Sequence, residues 1–319
     1  MMMMQNMNLE LIGKRPMLAY TGSEEIFAQK LKEGPLMASF KLDGIRLRLL
    51  GQRLTTGRDG KTAPNTWMRK TLESPLTNFL DGEAIAFVGN SDRLLTFNEN
   101  QSLIMSEGGT PNYQFCVFDT CNPKYSNVPF AHREAIVGAQ VKAAQKSGFT
   151  QLTFWKSDLI HNMEELLKYE QLALEAGYEG LIVRSPEGKY KYGRSTVKEG
   201  IMGKLKRFED REAIIDGFEM LRHNENEAVR NELGYQKRSH HQAGKRESTQ
   251  YVGKVLAHDL LRPEWTFKVG SGFDFELRAD MCQHPQKYLG KQFTYKFQPH
   301  GTKDAPRIPV WKGLRLPNT

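Results

Sequence analysis

The chain has 319 residues, 39% of them hydrophobic, with 45 Lys and Arg against 37 Asp and Glu for a formal net charge of +8; that length makes two domains the default and that charge favours polyanionic partners. No apolar run approaches the roughly 20 residues of a membrane helix, and the N-terminal residues lack the basic and apolar regions of a signal peptide. Cys116, Cys121 and Cys282 give no even disulfide framework and no second pair to complete a zinc site, so a cytoplasmic protein without a membrane partner is expected.

In chain order, residues 23–31 have the pattern of a short amphipathic helix, with Ser23 as N-cap and Glu24 and Glu25 in the first turn. Strands are expected over 36–41 and 45–50, on either side of Lys41-Leu42-Asp43-Gly44-Ile45-Arg46. A free lysine titrates near about 10.4, so a lysine that does covalent chemistry needs nearby cations or desolvation to expose its amine, and Arg46 is one such cation. The same residues also suit a two-strand hairpin, in which Asp-Gly makes the turn and Lys41 and Arg46 lie in solvent. Residues 53–56 begin a further strand before Gly57-Arg58-Asp59-Gly60. Strands over 79–88, 113–119, 152–155 and 180–184 alternate with helices over 131–146 and 162–176, and their short connections favour antiparallel neighbours.

At Glu209-Asp210-Arg211-Glu212 the character changes, and this run reads as a charged connector. Beyond it, strands over 213–218, 252–259, 266–269 and 292–297 with little helix between them have the pattern of a small β-barrel. Within it, residues 222–250 are polar, with Lys237-Arg238-Ser239-His240-His241 and Lys245-Arg246, and read as a mobile basic loop, either a solvated charge run or a phosphate-contacting arm. The expected fold is α+β: a mixed, largely antiparallel domain over 1–208 followed by a β-barrel over 209–319.

Lys41-Leu42-Asp43-Gly44-Ile45-Arg46 resembles motif I of the covalent nucleotidyltransferases, the superfamily of ATP-dependent DNA ligases, RNA ligases and mRNA capping enzymes. Further motifs follow in the family's order. Asp81-Gly82-Glu83 resembles motif III, Phe118-Asp119 motif IIIa, Glu179-Gly180-Leu181-Ile182-Val183-Arg184 motif IV, and Lys204-Leu205-Lys206 motif V, with both lysines on one face of a strand. Pro306 to Arg315 resembles, more loosely, motif VI on the ligases' OB domain. Taken together the chain looks like the small two-domain bacteriophage-type DNA ligases, which implies an ATP-grasp-like nucleotidyltransferase domain followed by an OB fold.

The resemblance implies that Lys41 is adenylylated by ATP with Lys204 and Lys206 as catalytic partners. It implies nucleotide binding by Lys41, Arg46, Glu83, Phe118, Glu179, Lys204, Lys206 and Arg307, with Phe118 stacked on the base. Asp43, Glu83 and Glu179 are implied for Mg²⁺ or Mn²⁺, Arg58 for the 5′-phosphate of a nicked DNA duplex, and Arg307, Lys312 and Arg315 for the β and γ phosphates. A monomeric enzyme in the cytoplasm of a bacterial cell or a phage-infected host is the matching expectation. Many of these ligases carry a Glu two residues before the lysine to meet the adenine amino group, whereas Ser39 stands there in this chain. Only about forty residues precede Lys41, little room for the extra domain of NAD-dependent ligases, and no Gly-x-x-x-x-Gly-Lys-Ser/Thr loop is present, so ATP bound outside a P-loop is expected. Within the superfamily the alternatives are an RNA ligase or a GTP-using capping enzyme; outside it, an inactive basic nucleic-acid-binding protein.

Overall fold

The structure, a computed structural model, describes residues 14–57, 60–88, 95, 97–230, 236–239, 242–300, 302 and 304–315. The chain divides into two compact units between Lys206 and Arg207. Among the described residues no helix is long and apolar enough to cross a membrane.

The first unit runs β1 (Met17–Leu18), β2 (Tyr20–Thr21), α1 (Glu24–Glu33), β3 (Leu36–Phe40), β4 (Ile45–Leu50), β5 (Arg53–Thr56), β6 (Lys61–Thr62), α2 (Thr66–Leu72) and β7 (Leu80–Phe87). It continues with α3 (Phe97–Ile104), β8 (Asn112–Thr120), α4 (Phe130–Lys146), β9 (Leu152–Phe154), β10 (Asp158–Ile160), α5 (Met163–Glu175), β11 (Gly180–Arg184), β12 (Gly193–Arg194) and β13 (Met202–Lys206). Ser23 caps α1 by accepting the Ile26 amide, and Asn162 caps α5 by accepting that of Glu165. Two larger sheets carry the unit, one in the order β6-β5-β4-β7-β8-β9 and the other β10-β3-β11-β13-β2. Pairings are antiparallel except for β8 with β9, β13 with β2 and β1 with β12. Leu47, Leu49, Phe115, Val117, Val137 and Val141 pack the six-stranded sheet against α4, while Phe27, Ala38, Leu166 and Leu181 fill the core of the five-stranded one.

The two strands that flank Lys41 do not pair with each other. β3 belongs to the five-stranded sheet and β4 to the six-stranded one, so residues 41–44 cross from one sheet to the other and the hairpin reading fails. Gly44 permits the crossing, because a Cβ there would lie 2.3 Å from the Ala84 carbonyl oxygen on β7. Asp81-Gly82-Glu83 lies inside β7.

The second unit runs β14 (Glu209–Asn224), β15 (Ala228–Arg230), β16 (Gln236–Arg238), β17 (Lys245–Asp259), β18 (Thr266–Val269), α6 (Phe275–Gln283), β19 (Gln292–Gln298) and β20 (Arg307–Leu314). Its sheet order is β18-β17-β14-β19-β20, and β18 also touches β20, so the sheet curls toward a barrel around Val255, Phe267, Phe293, Tyr295 and Trp311.

Two expectations are corrected here. The charged run 209–212 is not a connector but the start of β14, paired with 294–297 of β19; Asp210 meets Lys312 at 2.7 Å and Glu212 meets Arg315 at 2.7 Å, so the charges are satisfied across the sheet. The span 222–250 is largely paired as well: Arg222, His223 and Asn224 face Glu247, Arg246 and Lys245, Arg222 bonds Glu247 at 2.7 Å, and β15 pairs with β16. Polar residues at alternate positions of a two-stranded ribbon can all face water, which is why composition alone reads as loop. His240 and His241 of that span lie outside the described residues.

Candidate active site

A cavity of about 500 Å³ in the first unit is lined by residues of both larger sheets, among them Ser39, Lys41, Arg46, Glu83, Phe118, Ile182, Arg184 and Lys204. One wall is a rung of the five-stranded sheet, because Ser39 on β3, Ile182 on β11 and Lys204 on β13 stand in register on adjacent strands. Side chains in register on a sheet share a face, so one pairing pattern delivers all three. The opposite wall comes from the rung of Arg46 on β4 and Glu83 on β7. Phe118 sits at a register irregularity on β8: Asp81 pairs with Asp119 and Gly82 with Val117, leaving Phe118 unmatched between them. Such bulges re-aim a side chain, here into the cavity. Helix α3 contributes Phe97 and Gln101. Its buried Asn100 accepts the Ala86 amide at 2.7 Å and donates to the Asp43 carbonyl at 3.3 Å, tying the helix to β7 and to the crossing segment.

The Lys41 backbone is fixed from β11. Its amide donates to the Gly180 carbonyl at 2.8 Å and its carbonyl accepts the Glu179 amide at 3.3 Å. Gly180 has φ +140°, and a Cβ there would meet the Leu205 carbonyl oxygen at 2.2 Å, so only glycine lets Glu179 turn in beside Lys41. The Lys41 ammonium pairs with Oε2 of Glu179, and the Lys206 ammonium donates to Oε1 of the same carboxylate at 2.9 Å. Burial works to raise the Glu179 carboxyl, but Lys41 and then Lys206 outweigh it and hold it at about 2. Burial, reinforced by Lys206 and Lys41, pulls the Lys204 ammonium down to about 8. Burial also pushes the Glu83 carboxyl up to about 7; Lys41 and Arg46 oppose this, and the neighbouring Asp43 and Glu179 carboxylates add to it. The site thus gathers three lysines around one firmly ionised carboxylate, beside a second carboxyl poised near neutrality.

Arg46 is held by a two-pronged bond to buried Asp81, 2.7 and 2.8 Å, and Asp81 also accepts the Tyr190 hydroxyl at 2.6 Å. The Arg46 guanidinium lies 4.5 Å from the Phe118 ring centre and that of Arg184 lies 5.4 Å from it. Arg184 and Arg133 share buried Asp119, at 2.5 Å and 2.9 Å.

The structure therefore brings Lys41, Arg46, Glu83, Phe118 and Lys204 to one cavity, with Glu179 and Lys206 bonded to its edge through Lys41. Asp43 is in the crossing segment and does not line the cavity. Among the described residues no group of three or more His, Cys, Asp or Glu gathers closely enough to cage a metal ion. Glu83, within electrostatic reach of Asp43 and Glu179, still fits a hard divalent ion that keeps most of its waters and takes one or two carboxylates. Arg58 lies outside the described residues. In the second unit, Arg307 and Lys312 are on β20 and Arg315 follows it. Trp155, Arg194 and Met105 also line the cavity, yet carry no local pattern that marks them as site residues; only the tertiary fold finds them.

Residues 16–206 match the family model of the ATP dependent DNA ligase domain, and residues 250–315 match that of the DNA ligase OB-like domain. The chain belongs to the ATP-dependent DNA ligase family. It is an enzyme that joins DNA at the expense of ATP. Chlorella virus DNA ligase-adenylate is a solved structure similar to this ligase, at 26% identity and a TM-score of 0.52 over 95% of this chain and 100% of that one. A new crystal structure of the same viral ligase-adenylate aligns at 27% identity and a TM-score of 0.51, over 96% and 99%. A Lig E DNA ligase shares the fold at 20% identity and a TM-score of 0.65, over 95% and 99%. The search of curated proteins gave no match.

Proposed function

We propose that Lys41 is the nucleophile of nick sealing in duplex DNA. The observation that carries this reading is the pairing of Lys41 and Lys206 to one Glu179 carboxylate at the rim of a cavity large enough for a nucleotide. The Lys41 Nζ, once its proton has left, forms a bond to the α-phosphorus of ATP as the bond to pyrophosphate breaks, giving a lysine–AMP phosphoramidate. The 5′-phosphate at a nick then displaces Lys41 from the AMP. Finally the 3′-hydroxyl attacks that phosphate, the strand closes and AMP leaves.

Lys204 and Lys206 are proposed to balance the charge of the transferring group; Lys204 lines the cavity, and burial together with neighbouring cations has already loosened its proton. Arg46 and Phe118 are proposed to orient the nucleoside, Arg46 being locked in place by Asp81. Glu83 and Glu179 are the residues that would hold Mg²⁺ or Mn²⁺, with Asp43 acting through their shared field; a bound ion of this kind supplies charge neutralisation at the phosphates. One chain suffices for the adenylylation chemistry, because the nucleophile, its lysine partners and the whole cavity wall come from residues 16–206.

Incubation with α-labelled ATP or GTP, followed by a nicked duplex with ATP or NAD, tests the reading. Label on the chain from ATP and closure with ATP are expected. Label from GTP alone would mean a capping-type enzyme, and closure with NAD alone would overturn the choice of ATP.

A further inference from the structure

The backbone just before Lys41 is held from the side away from β11 as well. β10 pairs with β3 only from Leu36 to Ala38, so on that edge the Phe40 carbonyl lies beyond the reach of the strand ladder. The indole of Trp155 fills the place: its Nε1–H donates to the Phe40 carbonyl at 3.0 Å. Trp155 follows β9 and belongs to the other sheet, anchored there by its own amide, which donates to the Val117 carbonyl at 2.8 Å. Its ring packs against the small buried cluster formed by Leu42, Ile85 and Cys116. The same ring lies 5.8 Å from that of Tyr178, which is 5.1 Å from the Phe40 ring. One tryptophan thus ties the residue before Lys41, on the five-stranded sheet, to the six-stranded sheet carrying Glu83 and Phe118.

We infer that Trp155 is a positioning residue for Lys41, fixing through the Phe40 carbonyl where the nucleophile stands relative to the opposite wall of the nucleotide cavity. This rests on the reading of Lys41 as nucleophile. A misplacement of the attacking atom slows bond formation while leaving ATP binding intact. Lys41 makes a bond in the first step and loses it in the second, but none of its bonds changes when the 3′-hydroxyl attacks a nick that already carries AMP. Trp155 therefore governs the first two steps and leaves the third alone.

The test uses the full chain and two changes at position 155. Trp155→Phe keeps a ring beside Tyr178 and removes the N–H; β-(3-benzothienyl)alanine at the same position keeps the bicyclic shape and removes only the N–H. Single-turnover formation of the lysine–AMP from α-labelled ATP should slow about tenfold at saturating ATP, the scale of one lost hydrogen bond. In the benzothienyl protein, whose bicyclic ring keeps the same cavity wall, closure of a pre-adenylylated nicked duplex without added ATP should match the unaltered protein. Lysine–AMP formation at the unaltered rate overturns the inference. So does an equal slowing of closure of the pre-adenylylated nick, which marks a merely structural role. If Trp155→Phe fails to fold, the benzothienyl protein decides. Lys41→Ala, run alongside, separates the two levels: label on that variant defeats the nucleophile reading itself, whereas its loss of label beside unaffected Trp155 variants defeats only the role of Trp155.

Discussion

Two charged clusters in the first unit are built from the same kinds of group. At the cavity, Glu179 serves Lys41 and Lys206, whose side chains are 21% and 10% exposed. In the interior, Asp119 serves Arg133 and Arg184, and Arg133 spends its remaining donors on the carbonyls of Val128 and Gly188 at 2.6 and 2.8 Å. The interior cluster uses guanidinium groups, which stay charged and bond in fixed directions; Arg133 and Asp119 are fully enclosed by protein, and Arg184 alone also reaches the cavity wall. The cavity cluster uses amines, whose protons can leave and whose stems can bend. Burial and like charge have already brought Lys204 down to about 8. A charge cluster that holds a fold and one proposed to handle a phosphoryl group differ in the mobility of their protons.

The sharpest way to break this contrast is Lys41→Ala, which should abolish the lysine–AMP altogether, read as label on the chain, while the unfolding midpoint stays near that of the unaltered protein. The converse change, Asp119→Ala, leaves two buried guanidinium groups without their carboxylate and should cost about 3–5 kcal/mol in denaturant unfolding of the first unit. Next comes Glu179→Gln, expected to slow lysine–AMP formation roughly a hundredfold while costing less stability than Asp119→Ala, because the Lys41 and Lys206 side chains are partly exposed and can hydrate. Equal stability losses for Asp119→Ala and Glu179→Gln would erase the distinction between the clusters.

The titrations give a smaller effect with a definite sign. Glu83 gains its charge as pH rises through about 7 and Lys204 loses its charge as pH rises through about 8, so both charges coexist most fully between those values. Adenylylation should rise on the acid side and fall on the alkaline side, about tenfold per pH unit on each limb. Glu83→Gln should remove the acid limb and Lys204→Arg should move the alkaline one upward. For stability the Glu179 sign is opposite to that of Glu83: its folded value is depressed to about 2, so its contribution is present above the ordinary glutamate range and is lost as pH falls toward that value. The smallest effect belongs to the second unit. Lys312→Ala breaks an ion pair between half-exposed groups and should change stability by under about 1 kcal/mol, while raising the ATP concentration needed for lysine–AMP formation, as the phosphate role implied by the motif VI resemblance requires.

Much of this was legible in local sequence. The order of short patterns from Lys41 to Lys206 announced the family, the strand and helix periodicities located the main elements, and Ser23 reads as a cap and is one. The helices 66–72, 97–104 and 275–283 were not legible, being short and without a strong apolar stripe. Arg46, Glu83 and Phe118 could be named as site residues, but neither the bond that locks Arg46 nor the bulge that aims Phe118 has a local signature.

The sequence by itself determined which residue types stand at which spacing, and so the kind of chemistry the chain can perform. Tertiary structure decided that residues 41–44 cross between sheets instead of turning a hairpin, that 209–212 pair instead of linking, and that Trp155 reaches the backbone at Lys41. The physical reason is the same in each case. Propensity and periodicity act over a few neighbouring residues, whereas the partner of a strand is chosen by which apolar faces bury each other across far longer stretches of chain, and no local pattern carries that choice.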